Sequence, residues 1–129
     1  MRENLDPFRE YEDRHVWEAL GDVQLKDYVA SFAEGMNQEI SDGTSVFSVG
    51  QKQLICLARA ILRNNKILVM DEATANVDRD TEALIQEKIR EKFSDCTVVT
   101  IAHRLDTVIE SDRILVMKEG EAIEFAHPH

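Results

Sequence analysis

The apolar run Ile67-Leu68-Val69-Met70 ends directly on two acids, Asp71 and Glu72, and this hexapeptide constrains the fold more than any composition figure. Bounded upstream by Asn64-Asn65-Lys66, it reads as a fully buried parallel strand. A strand ending in paired carboxylates carries them to the carboxyl edge of its sheet, where open α/β sheets place their ligands. Acids there hold Mg²⁺ and polarise a water beside a nucleotide phosphate. The blander alternative is that the pair merely opens a turn. The chain contains no G-x-x-x-x-G-K-S/T phosphate loop, so it offers half of a nucleotide-hydrolysis site.

Around that strand the pattern alternates. Val16, Trp17, Leu20, Val23 and Leu25 recur near helical spacing within residues 13–33, with a break expected at Gly21-Asp22. Trp17 is expected to anchor a core or an interface. Residues 35–46 are rich in Asn, Ser, Asp, Gly and Thr and read as a loop with one short extended piece. A helix from about Ser48 to Leu62 has Leu54, Ile55, Leu57, Ala58, Ile61 and Leu62 as its apolar set and stops at Asn64-Asn65. After a strand over 66–71, a second long helix spans about Asp78 to Phe93. Ala83, Leu84, Ile89 and Phe93 are its expected buried stripe, and Asp78, Asp80 and Glu82 suit the positive end of its dipole. Thr97–Ile101 reads as a second buried strand and His103 to about Ile109 as a short helix. Arg113–Met117 and Glu121–Phe125 read as strands joined by a tight turn at Lys118-Glu119-Gly120. This order implies a parallel sheet with an antiparallel edge.

At 129 residues the chain fits one small domain. A formal net charge of -10 and a pI near 4.8 argue against a nucleic-acid-binding surface. Two cysteines, Cys56 and Cys96, show no metal spacing and read as buried or half-buried free thiols rather than a redox pair. No segment approaches the ~20 apolar residues that cross a bilayer, and the polar start Met1-Arg2-Glu3-Asn4 is not expected to be a signal peptide. A membrane role would come through a partner or through another part of a longer polypeptide.

Two further segments bear on the acids. Phe47-Ser48-Val49-Gly50-Gln51-Lys52-Gln53 opens the first long helix with a hydroxyl residue, a glycine and a run of backbone amides. Helix N-termini bind phosphates through such amides, although Ser48 is equally suited to be a plain N-cap. His103 lies just beyond the strand Thr97–Ile101, where a histidine can face the same crevice as Asp71 and Glu72; a lone histidine is more often structural.

Together these segments resemble the carboxyl-terminal half of the nucleotide-binding domain of ATP-binding cassette (ABC) transporters, over Asn4 to about Phe125. The matches run in order. They are the signature region Phe47–Gln53, then Leu57-Ala58-Arg59-Ala60-Ile61-Leu62, the Walker B strand with its glutamate over Ile67–Glu72, the D-loop over Ala75–Asp78, and the switch histidine in Ile101-Ala102-His103-Arg104-Leu105. Asn4-Leu5-Asp6-Pro7-Phe8, Ser48-Val49-Gly50-Gln51 and Asp71–Asp78 look most like the second nucleotide-binding domain of subfamily C, the multidrug-resistance-associated branch. Phe47 stands where the family's commonest signature has leucine, and Val49 where it has its first glycine. The valine is usual in subfamily C second domains and does not read as inactivating.

The resemblance implies a P-loop NTPase-like partial domain. Residues of about 1–64 would form a helical signature subdomain, and about 65–129 a core with Walker B, D-loop and switch histidine. It implies ATP and Mg²⁺ as cofactors. Asp71 would hold Mg²⁺ through its water shell, Glu72 would orient or deprotonate the attacking water, and His103 would contact the γ-phosphate. Ser48, Val49, Gly50 and Gln51 would bind the γ-phosphate of a nucleotide seated on a second, head-to-tail nucleotide-binding domain, with Asp78 closing the D-loop across the pair. A helix over 48–62 is about 21 Å long at ~1.5 Å per residue, too long for its first turn to reach the phosphate served by Glu72. The implied partners are that second domain and the transmembrane domains of a transporter, at the cytoplasmic face of a membrane, with no nucleic acid.

Two readings of function follow. In one the chain is part of an exporter ATPase that couples ATP hydrolysis to transport and is inactive alone for want of the phosphate loop. The close at Ala126-His127-Pro128-His129, where the family continues into another helix, carries the expectation of truncation. In the other it is a non-catalytic short partner lending its signature segment to a complete domain. A DNA-repair ATPase sharing the signature is disfavoured by the acidity. Uncovered strand edges lead us to expect marginal stability or self-association.

Overall fold

The computed structural model of the chain describes residues 1–40, 46–71, 76–102 and 108–128. Its elements are helices α1 (Arg2–Leu5), α2 (Asp13–Asp22) and α3 (Lys26–Ala30), a 3₁₀ turn (Gly35–Asn37), α4 (Val49–Arg63), β1 (Ile67–Asp71), α5 (Arg79–Lys92), β2 (Thr97–Ile101), β3 (Ile114–Lys118) and β4 (Glu121–Ala126). β1 and β2 form a parallel pair and β3 and β4 an antiparallel hairpin. The described residues fall into two compact units. One contains the first 68 residues with α5 and its flanks to Val98; the other contains the ends of β1 and β2 and the hairpin.

The first unit is built on α4, against which α1, α2 and α5 pack. Leu54, Ile55, Leu57, Ala58 and Leu62 of α4 are buried with Leu5, Val16, Leu20, Val23 and Val29. The stripe repeats at three- and four-residue steps, as a core-facing helix requires. Both ends of α4 are closed locally. Ser48 and Gln51 form a reciprocal capping box, and Asn64 takes the left-handed conformation at φ 48° after the last turn. Arg59 ties this helix to the chain start, donating from Nε to the Asn4 carbonyl at 2.9 Å and from Nη2 to its side-chain oxygen at 2.5 Å.

Gly21 and Asp22 lie inside the last turn of α2, so the expected break moves to residues 23–25. Gln24 is left-handed at φ 58°. The Gln24 amide donates to the Gly21 carbonyl at 3.0 Å and the Leu25 amide to that of Leu20 at 2.9 Å, with both leucines buried. That is a Schellman close with its hydrophobic contact. It satisfies more carbonyls than an earlier break would, and outweighs the entropic cost of a helical glycine, about 0.5–1 kcal/mol. Trp17 is half buried beside Arg14, Lys26 and Ala30.

Three expectations of burial are corrected. On α5 the buried face is Ile85, Ile89 and Phe93; Ala83 is exposed and Leu84 half buried. Residues four apart share one face of a helix, and the 85/89/93 set is the one that is buried. β1 is not fully buried: Ile67 and Val69 are each 63% exposed and alternate with half-buried Leu68 and Met70. β2 alternates likewise. A two-stranded pair has too little sheet around it to bury both faces. Cys56 is exposed on the outer face of α4, whereas Cys96 is half buried with its thiol on the Asn65 carbonyl at 3.3 Å; both are free.

In the second unit Lys118 pairs with Glu121 across Glu119 and Gly120. These two have φ of 51° and 84°, the left-handed pair that a two-residue hairpin turn of matching twist demands. The Arg113 guanidinium lies 5.2 Å from the centre of the Phe125 ring. The helix expected from His103 to about Ile109 falls mostly on residues 103–107, outside the described ones; Val108 is helical.

One buried charge organises the chain start. Asp6 is 2% exposed; its carboxylate accepts from the amides of Glu10 and Tyr11, each at 3.0 Å, and from Arg2 Nη1 at 3.1 Å. Burial would raise its pKa, but the Tyr11 and Glu10 amides and the Arg2 guanidinium outweigh it and hold the carboxyl below its ordinary value. The fold therefore favours the ionised form. That stabilisation is complete above the unfolded-chain value of about 3.9 and is lost as pH falls through the lower folded value. Asp6→Asn should unfold at lower temperature than wild type at neutral pH, and the gap should narrow on acidification from about pH 5 to about pH 2. A gap constant across that range in thermal melts would contradict this assignment.

Candidate functional site

The first turns of α4 and α5 meet. Each starts from a side-chain cap, and the two caps differ in charge. At α4, Ser48 Oγ accepts from the Gln51 amide at 3.1 Å while the Ser48 amide donates to Gln51 Oε1 at 2.9 Å. At α5, Asp78 Oδ1 accepts from the Thr81 amide at 2.9 Å and Oδ2 from the Thr81 hydroxyl at 2.7 Å. Those two donations hold the Asp78 carboxyl below its ordinary value, against a smaller opposing effect of desolvation. An ionised carboxylate on the first amides of α5 neutralises the positive end of that helix. The Ser48 cap brings no charge of its own to the start of α4, which has the Asp78 carboxylate of its neighbour beside it; a helix start with a neutral cap is suited to an anion.

Gly50 makes the approach possible. It is buried in the first turn of α4. A Cβ there would lie 3.2 Å from Thr81 Cγ2, 3.3 Å from Thr81 Oγ1 and 3.6 Å from Asp78 Oδ2. Thr81 cannot readily give way, because its amide and hydroxyl are both engaged by Asp78. Val49, next to Gly50, is 54% exposed.

The capping box decides what the α4 turn can offer a ligand. The Gln51 amide and side-chain oxygen are engaged. What remains is the Ser48 O–H, the amide of exposed Val49, which lies outside the intrahelical ladder, and the Gln51 side-chain NH₂, with the Gly50 amide buried behind them. These are all donors, grouped at a positive helix end: the chemistry of a phosphate contact. Phosphate and capping roles of Ser48 are thus compatible, since the cap uses its lone pair and a phosphate would use its proton.

The structure brings together Ser48, Val49, Gly50, Gln51 and Asp78. Asp71 is the exposed last residue of β1, in the other unit. Glu72 and His103 lie outside the described residues. Among the described residues, no cluster of three metal-ligating side chains exists. A single exposed carboxylate still suits Mg²⁺, which keeps most of its water and takes one or two protein carboxylates. Thr81 is the residue missed in the sequence; its signal is the Asp78-x-x-Thr81 spacing of an N-cap with a hydroxyl on the third helical position.

The family profile described as ABC transporter matches residues 1–75. The probable multidrug resistance-associated protein lethal(2)03659 of Drosophila melanogaster is 59% identical over 129 residues, all of this chain and 9% of that protein. The ATP-binding cassette sub-family C member 4 of Homo sapiens is 57% identical over 129 residues, 10% of its length. ABC transporter C family member 3 of Dictyostelium discoideum is 52% identical over 128 residues, 9% of its length. The chain spans about a tenth of the length of the relatives it matches.

The Gly50 contact can be measured. Gly→Ala in a helix ordinarily stabilises by about 0.5–1 kcal/mol. Gly50→Ala should lose that gain and destabilise instead, since overpacking costs about 1–3 kcal/mol. In a Thr81→Ala background the gain should return. A urea double-mutant cycle with no coupling between positions 50 and 81 would refute the contact.

Proposed function

We propose that this chain, which belongs to the ABC transporter family and is similar to subfamily C members, supplies the signature side of an ATP site completed by a second nucleotide-binding domain. The observation that carries this reading is the first turn of α4: a neutral cap, unused donors and a positive helix end, held against the Asp78 cap by a glycine. Ser48, Val49, Gly50 and Gln51 contact the γ-phosphate of a nucleotide bound by the other domain. Asp78, locked by Thr81, lies beside them on the same surface, as a D-loop residue shared across such a pair must.

The chain's own acids serve a different nucleotide. Asp71 holds Mg²⁺ through water, Glu72 orients or deprotonates the attacking water, and His103 meets the γ-phosphate. Mg²⁺, when bound, neutralises charge on the phosphate oxygens. The lysine and backbone nest of a phosphate loop do not occur in these 129 residues, so Glu72 has a water to activate only where another polypeptide segment supplies the nucleotide. In this reading ATP binding and hydrolysis are coupled to transport by transmembrane domains, at the cytoplasmic face of a membrane. Among the described residues, no helix is long and apolar enough to cross one. The open apolar faces of β1 and β2 suit burial by further sheet.

Two outcomes are expected. The purified chain should show no ATP turnover above background; turnover abolished by Glu72→Gln would overturn the incomplete-site reading. It should bind a complete subfamily C nucleotide-binding domain only with MgATP, and Ser48→Ala should weaken that binding about tenfold, the effect of one charge-assisted hydrogen bond. Equal binding with and without ATP in a titration would contradict signature donation.

A further inference from the structure

Tyr28 stands in the five-residue helix α3, eighteen positions before Val46. Its hydroxyl donates to the Val46 carbonyl at 2.5 Å. Its ring meets Phe32 edge-on at 5.2 Å between centroids and Phe47 at 5.7 Å, and Phe32 meets Phe47 at 5.8 Å. All three pairs are T-shaped, the arrangement that ring quadrupoles favour. Phe47 is only 5% exposed although Val46 beside it is 40% exposed and Ser48 is exposed. The approach to α4 therefore meets Tyr28 and Phe32 through the Phe47 ring, and Tyr28 again through the Val46 carbonyl.

We infer that Tyr28 is a positioning residue. With Phe32 and Phe47 it clamps residues 46–47 and so sets the order and direction of the signature turn at residues 48–51. The two restraints act on adjacent points of the backbone. The ring contacts fix the Phe47 side chain and hence its Cα. The phenol fixes the plane of the Val46–Phe47 peptide through its carbonyl. Ser48 follows at once, with φ -66° and ψ 167°, and its capping box depends on that extended geometry. Tyr28 lies on α3 rather than in the signature turn, so it acts on a phosphate through residues 46–48. Its relevance to nucleotide rests on the signature reading above; its ordering of the turn does not.

Hydrogen exchange on the full chain separates the two. Tyr28→Phe deletes one hydroxyl and keeps the ring. The amides of Ser48, Gln51 and Lys52, which close the α4 start, should exchange about fivefold faster, the factor one net hydrogen bond supports. Tyr28→Leu, which also opens the ring triangle, should exceed that. Amides of α2 and of the second half of α4 serve as the reference and should not change. No acceleration at the start of α4, or an equal one along the whole helix, would overturn the clamp. MgATP-dependent binding to a complete nucleotide-binding domain should weaken in the order wild type, Tyr28→Phe, Tyr28→Leu. Three equal affinities would overturn the positioning role. Exchange that responds in a chain that never binds would leave the clamp standing and remove the signature reading alone.

Discussion

The contact on which the candidate site depends is that between the bare Cα of Gly50 and the Asp78–Thr81 cap. It is made where two helices begin, so it fixes helix starts rather than helix middles. α4 carries much of the apolar core of its unit, and its first turn cannot shift against α5 without disturbing that packing. A methyl group at one position would reach atoms that two hydrogen bonds hold in place. The first turn of α4 and the cap of α5 are thereby one mechanical piece.

Charge then distinguishes two otherwise similar helix starts. An aspartate caps α5 and a serine caps α4, so one helix start carries a charged cap and the other a neutral one, with the Asp78 carboxylate close to both. In a chain of formal net charge -10, a local surplus of donors facing outward is a specific feature, and no basic stripe is needed to produce it.

Much of this was legible in the sequence, because caps and turns are local chemistry. Ser48 with Gln51 three positions on, Asp78 before a helical run, Asn64 after one, and Glu119-Gly120 between strand patterns each specify a backbone conformation from their own side chains. The misreadings involve neighbours distant in sequence. Which of Ala83, Leu84 and Ile85 faces inward on α5 is set by where α4 lies. Whether Ile67 and Val69 are covered depends on how much sheet surrounds them. The end of α2 was misplaced because a left-handed glutamine, seldom used for that purpose, closes the helix. Thr81 and Tyr28 escaped notice since each acts through a partner, Asp78 or the Val46 carbonyl, and neither belongs to a recognisable motif.

The claim that the α4 turn serves a phosphate held by another domain is tested most directly by amide NMR of the isotopically labelled chain. MgATP alone, a complete subfamily C nucleotide-binding domain alone, and the two together would be added in separate titrations. Shifts concentrated at residues 48–51 and 78–81, appearing only when both are present, are the expected result. Shifts of the same amides with MgATP alone, or none with both, would contradict the account.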